Sequence, residues 1–287
     1  MADLIQIVGT PFLACLIIGS ILAYFGMHVL KREVIFIDIA VAQVAAVGSL
    51  VAHEFFHAEE DTLTSYLCSF AFVLLISAFY SVVRRRITQI SIEAVIGISY
   101  AITTAGALFL IGLRPGHVHV QEMLAGNLLW VTWSQIIACL MVFSAVGIVI
   151  FFIRKPLSLI SEDYEHAVDK GVNVSLWDFV FYTLVGIAIT VAVRIAGVVV
   201  VFAFLIIPAT TSALFSANWV VRMIIACVTC TVSSAAGLLF SYYLDDFSVG
   251  PPIALFLGGI LLVAALAARF RRTTALTAEQ VAENVSQ

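Results

Sequence analysis

Long apolar runs separated by short polar stretches set the organisation of this 287-residue chain. The runs are Ile7 to Leu30, Val34 to Ala52, Leu63 to Val83, Ile92 to Leu113, Trp130 to Ile153, Leu176 to Val193, Ile195 to Leu214, Trp219 to Leu244 and Ile253 to Ala268. A helix needs roughly 20 apolar residues to cross the hydrocarbon core. The pattern therefore predicts an all-α integral membrane protein with about nine transmembrane helices. The narrowest division falls at Arg194, which either terminates a span at the outer surface or forms a buried ion pair.

Between the runs the connections are short. The longest, Pro156 to Ser175, contains SEDYEHAVDKG, with Ser161 as an N-cap and Gly171 as a stop. That reads as a short surface helix. Pro208 lacks an amide hydrogen, so it bends or ends the seventh span, and ATTSALFSAN after it supplies a short helix that another protein could grip. Gly97, Gly106, Gly186, Gly237, Gly258 and Gly259 dot the spans, where small residues favour close helix packing. Residues 1–272 form one transmembrane domain, and 273–287 form a polar tail expected to fray.

Composition agrees with this. Hydrophobic residues make up 62% of the chain and charged ones 11%, against about a quarter charged in ordinary soluble domains. Alternating the spans puts twelve of the fourteen basic residues on one side, with only Arg114 and Arg194 opposite. The positive-inside rule makes that side cytoplasmic, placing the N-terminus outside and the C-terminus inside. Met1 to Gln6 lacks a basic n-region, so no cleavable signal is read. Cys15, Cys68, Cys139, Cys227 and Cys230 all lie in apolar runs and read as small hydrophobes. No GxxxxGK[ST] occurs, so this chain does not hydrolyse ATP through a P-loop. Nothing in it points to a nucleic-acid partner.

The candidate chemistry sits in two polar loops on the outer side. HEFFHAEED carries His53, Glu54, His57, Glu59, Glu60 and Asp61, and RPGHVHVQE carries His117, His119 and Glu122. Imidazole with carboxylate suits borderline divalent ions, and clustered acids raise local cation concentration. His53 and His57 share a helical face if the span continues outward. They also satisfy the HExxH pattern, but a metalloprotease needs a third ligand and a cleft around an open coordination position. The bland alternative is that these loops are simply polar. Within the second span, Asp38 is costly in lipid and either faces a water-filled path or pairs with Lys31 or Arg32 at the helix end. Glu93 opens the fourth run, where a carboxylate complements a helix N-terminus.

Several blocks together resemble the permease subunit of bacterial ATP-driven zinc, manganese and iron importers, the metal-type ABC permeases. They are GMHVLKREVIFIDIAVAQVAAVGSLVA, IEAVIGISYAITTAGAL, EMLAGNLLWVTWSQ, SEDYEHAVDKG, VRIAGVVVVFAFLIIPATTSALFS and DDFSVGPPIALFLGGIL. The resemblance covers almost the whole chain except the tail. It implies a type II importer-like permease fold, a homodimer with a path on its two-fold axis, two cytoplasmic ATP-binding subunits and an extracytoplasmic metal-binding protein. It implies that Pro208, Ala209, Thr210, Thr211, Ser212 and Ala213 couple the permease to the ATPase. Many members carry an Asp-x-x-x-His pair in the second span. Aligned through Gly48, those positions are Ile39 and Gln43 here, and Asp38 is one residue off, roughly 100° around a helix.

The resulting expectation is a transport subunit without enzymatic chemistry and without a permanently bound cofactor. It moves a divalent ion inward, zinc first because of the four histidines, with manganese or iron as alternatives. Asp38 and Gln43 are the pathway candidates. His53, His57, His117, His119, Glu54 and Glu122 are the outer vestibule. The alternative from another class is a proton- or cation-coupled secondary metal transporter with Asp38 as proton site, and an intramembrane metalloprotease is a distant third.

Overall fold

The computed structural model describes the backbone of residues 2–58, 62–86, 89–113, 128–243 and 248–285, and side chains over most of these. Ten α-helices follow in order: α1 (Ala2–Arg32), α2 (Ile37–Phe56), α3 (Leu63–Arg86), α4 (Ile92–Leu113), α5 (Trp133–Glu162), α6 (Tyr164–Asp169), α7 (Val174–Ala196), α8 (Val198–Phe215), α9 (Trp219–Tyr243) and α10 (Gly250–Val285). Among the described residues nine are long and apolar enough to cross a membrane, all except α6. The nine-span pattern is therefore the observed one.

The helix starts have local causes. Thr132 and Gln135 form a reciprocal capping box at α5, each side chain meeting the other's backbone N–H. Asp163 caps α6 and Asn173 caps α7 through side-chain oxygens. Asn218 accepts from the amides of Val220 and Val221 to start α9. Gly197, at φ 81°, is the single residue between α7 and α8. The narrow division thus lies three residues beyond Arg194, which sits in the last turn of α7 over the Tyr66 ring at 3.9 Å.

Helix α1 runs through the middle of the bundle, against α5, α8 and α9, while α2 packs between α3, α4 and α7. The core joins Ile18, Leu22 and Phe25 of α1, Val41 of α2, Phe181, Val185 and Ile189 of α7, and Val201, Phe204 and Leu205 of α8. Helices α4 and α10 lie at the periphery, with apolar faces such as Phe109, Leu255 and Val263 turned outward. That is the arrangement expected when lipid is the solvent.

Close approach is also made by two glycines outside the six expected at contacts. A Cβ on Gly26 would sit 1.8 Å from the Leu205 carbonyl oxygen, and one on Gly48 2.8 Å from Ser69 Cα. These fix α1 on α8 and α2 on α3. Of the six glycines expected at contacts, Gly186 and Gly237 are there, but Gly97, Gly106, Gly258 and Gly259 face open space.

Two further expectations are corrected. Helix α5 runs through Pro156 to Glu162, so the connecting loop is shorter, and Asp163 rather than Ser161 caps the surface helix. Helix α8 continues through Pro208, which is buried in the bundle, to Phe215, with no separate short helix between it and α9. The tail continues α10 as helical backbone to Val285.

Candidate functional site

The bundle has two ends. One carries the end of α2 and the start of α3, and is the histidine end. The other carries Arg32, Arg84 and Arg222, and is the basic end.

At the histidine end, α2 stops at Phe56 and His57 takes the left-handed conformation, φ 51° and ψ 34°. The amide of His57 reaches the Ala52 carbonyl, closing the helix. His57 therefore leaves the helical track, and the i, i+4 pairing with His53 is broken. The HExxH reading fails with it, since that motif needs both imidazoles on one helical face. His53 Nδ1 lies 3.1 Å from the Ala58 carbonyl oxygen. A carbonyl only accepts, so Nδ1 carries the proton in the neutral ring and Nε2 keeps its lone pair. His57 is exposed, and Glu54 is half-buried. His117, His119 and Glu122 lie outside the described residues, as do Glu59, Glu60 and Asp61. No three His, Cys, Asp or Glu side chains among the described residues come together as a metal site.

Midway, α2 turns Phe36, Ile39, Val47 and Leu50 partly outward, with Gln43 on the same stripe at 9% exposure. Asp38 points instead into the bundle at 1% exposure. The offset of one residue thus separates the carboxylate from the stripe that bears Gln43. Asp38 is in the first turn of α2, and neither carboxylate oxygen meets an aligned hydrogen-bond partner. The positive end of the helix dipole is the compensation it has there. Of the two alternatives for Asp38, the pairing with Lys31 or Arg32 does not form, because both cations are engaged elsewhere.

Arg32 is engaged with Asp178, a residue the sequence reading passed over. Its Nη1 donates to Asp178 Oδ1 at 2.5 Å, and its plane covers the Phe181 ring at 4.0 Å. Arg84 Nη1 donates to both Asp178 oxygens at 3.3 and 3.4 Å and to the Tyr182 hydroxyl at 3.3 Å. Arg32 and Asp178 side chains are 0% and 1% exposed. Ser161 donates its only hydroxyl proton to the Leu157 carbonyl at 2.8 Å. It therefore accepts from Arg32 Nε at 2.8 Å and from His28 Nδ1 at 2.9 Å. His28, fully buried, was also passed over. Lys31 donates to Glu162 at 3.4 Å and lies 4.6 Å over the Trp219 ring, whose Nε1 donates to the same carboxylate at 3.2 Å. The findable signal was Asp178 itself, an acid one turn inside an apolar run, where an intramembrane carboxylate calls for a named partner.

Of the segment expected to couple to an ATPase, Pro208, Ala209, Thr211 and Ser212 are buried, Thr210 is half-buried and Ala213 is exposed. Ser212 Oγ donates to the Ala209 carbonyl at 2.7 Å. Accessible surface at this end includes Ala213 to Phe215 with Ala217 and Asn218, and α6 with its exposed Glu165, His166 and Asp169.

Comparison with known proteins agrees with this architecture. A "probable iron transport system membrane protein" of Haemophilus influenzae is 24% identical over 238 residues, covering 83% of this chain and 82% of its own. The zinc transport system membrane protein TroC of Treponema pallidum is 23% identical over 262 residues, covering 90% and 86%. Among solved structures, PsaBC from Streptococcus pneumoniae in complex with Fab superposes with a TM-score of 0.76 at 19% identity, over 92% of this chain and 93% of that one. The profile of the ABC 3 transport family matches residues 5–268. A multi-pass helical bundle matched to that profile over nearly its full length belongs to the ABC 3 transport family as a membrane-spanning transport subunit.

Proposed function

We propose that this chain is the permease of an ATP-driven importer of divalent transition-metal ions, working as a homodimer with two ATP-binding subunits and an extracytoplasmic metal-binding protein. The observation that carries the reading is the family match over residues 5–268 in a chain that has no P-loop of its own. Relatives named for iron and for zinc transport support the cargo class. Zinc is the first ion to test, since imidazole suits a borderline cation, with manganese and iron as the alternatives.

In this reading the basic end faces the cytoplasm and the histidine end receives the ion. The outer histidines and carboxylates, His53, His57, His117, His119, Glu54 and Glu122, raise the local ion concentration and offer transient ligands. Gln43, on the open stripe of α2, and Asp38, one position round, are the pathway residues. Because Pro208 to Ser212 are mostly packed inside the bundle, the ATPase contact shifts to the exposed Glu165, His166 and Asp169 of α6 and the exposed turn from Ala213 to Asn218. The residues do no covalent chemistry. They present and exchange ligands while the ATPase changes which end is open.

The test is uptake in vesicles holding the purified chain with a P-loop ATPase subunit and an extracytoplasmic metal-binding protein of the same organism. Labelled zinc, manganese and iron are supplied separately. ATP-dependent accumulation of one of them is expected. Uptake by the chain alone, driven by a proton gradient, would transfer the reading to a secondary transporter with Asp38 as the proton site.

A further inference from the structure

The surface helix α6 is not merely tethered by its two peptide ends. Three residues at the junction of α5 and α6 are gripped by three spans: Ser161 and Glu162 end α5, and Tyr164 begins α6. Ser161 accepts from Arg32 and His28 of α1. Glu162 accepts from Lys31 of α1 and Trp219 of α9. Tyr164, the first residue of α6, lies under the Arg84 guanidinium of α3 at 4.8 Å. Asp178 of α7 then bridges Arg32 and Arg84, so the grips share one buried anion.

Packing alone does not call for this. Replacing a buried ionic group by well-packed apolar residues is often neutral or stabilising. An arginine that only obeyed charge sidedness would keep its head in water. Here the Arg32 side chain is wholly buried and that of Arg84 is 13% exposed. What an ionic clasp supplies and an apolar contact does not is direction, because fork and carboxylate fix an angle as well as a distance.

We propose that Asp178, Arg32 and Arg84 are positioning residues that clasp the junction of α5 and α6 to the spans and carry the displacement of α6 into α1, α3, α7 and α9 during the ATP cycle. The inference rests on the reading that α6 meets the ATPase. A push on α6 moves Ser161, Glu162 and Tyr164 together, and the shared Asp178 makes α1 and α3 respond as one unit. Trp219, at the first residue of α9, extends the same movement to the span that follows the exposed turn after α8.

The experiment measures ATP hydrolysis and zinc uptake in the same vesicles holding the assembled complex. Asp178→Asn and Tyr164→Leu should keep ATPase activity within about two-fold of the parent and lower the ions moved per ATP by about five-fold or more, the scale of an ordinary coupling term. Tyr164→Phe, which keeps the ring under Arg84, should restore the ratio lost in Tyr164→Leu. If Asp178→Asn does not assemble, Tyr164→Leu and Trp219→Leu decide from the surface side of the clasp. An unchanged ratio in these variants overturns the proposal, as does a proportional fall of hydrolysis and uptake, which would make the clasp a docking support only. Absence of ATP-driven uptake in the parent would instead sink the functional reading, so the two failures are separable.

Discussion

The histidine end and the basic end invert each other. At the first, His53, Glu54 and His57 are neighbours in sequence, yet the helix stops at Phe56 and turns His57 away. At the second, Arg32, Arg84, Ser161 and Asp178 are scattered over the chain, yet they share hydrogen bonds of 2.5 to 3.4 Å. The difference is set by solvent. An exposed imidazole is satisfied by water and places no demand on its neighbours. A buried guanidinium must find an anion or drive itself out of the bundle. Polar density along a sequence is therefore a weaker guide to a site in this membrane protein than the few charges that enter the spans.

The largest test of that contrast is stability. Asp178→Asn leaves Arg32 and Arg84 buried around a neutral amide, and breaking such a pair costs about 3–5 kcal/mol. His53→Ala removes one half-buried hydrogen bond, worth about 1 kcal/mol. Thermal unfolding of the purified chain in detergent should separate the two variants by several degrees, with Asp178→Asn the lower. Similar melting temperatures would mean that the basic cluster is no better connected than the loop.

The nine spans were legible because apolar runs of this length have one solution in lipid, and charge sidedness sorts their ends. The contacts between spans were not. Gly26, Gly48, Gly186 and Gly237 all carry close approaches, but in sequence they look like the glycines at 97, 106, 258 and 259, which face open space. Which side of a helix meets a neighbour depends on tertiary placement that spacing does not contain. Asp38 shows the same limit. Its cost in a span was readable, and its place at a helix end was foreseen, but not its separation from Lys31 and Arg32. Those cations were taken by Glu162 and Asp178, more than a hundred residues further along the chain. Ser161 was misread for a related reason: α5 outlasts Pro156, which puts Ser161 inside a helix and in reach of α1.

A smaller effect separates the two ends in transport. Replacing His53, His57, His117 and His119 together should raise the zinc concentration for half-maximal uptake about five- to ten-fold, because only weak transient ligands are lost. Asp38→Asn should lower the maximal rate and leave that concentration nearly unchanged, as expected of a group inside the path. Measuring both parameters against zinc concentration checks this. A quadruple variant that transports like the parent at limiting zinc would reduce the outer loops to polar connectors. An Asp38→Asn variant of full rate would leave its carboxylate a helix-end group only.

The smallest effect is the most local, and it concerns His57. A left-handed backbone costs a residue with a side chain about 1–2 kcal/mol, and glycine adopts it freely while losing about 0.5–1 kcal/mol in chain entropy. His57→Gly should therefore raise the stability of the purified chain, by about 0.5 kcal/mol, because φ 51° closes α2 in the way glycine commonly does. If imidazole at this position serves ion capture, the same variant should need more zinc for half-maximal uptake. A more stable protein that captures zinc less well would mark His57 as kept for function at the expense of its backbone. A more stable protein with unaltered capture would show that the turn, and not the ligand, explains where His57 sits.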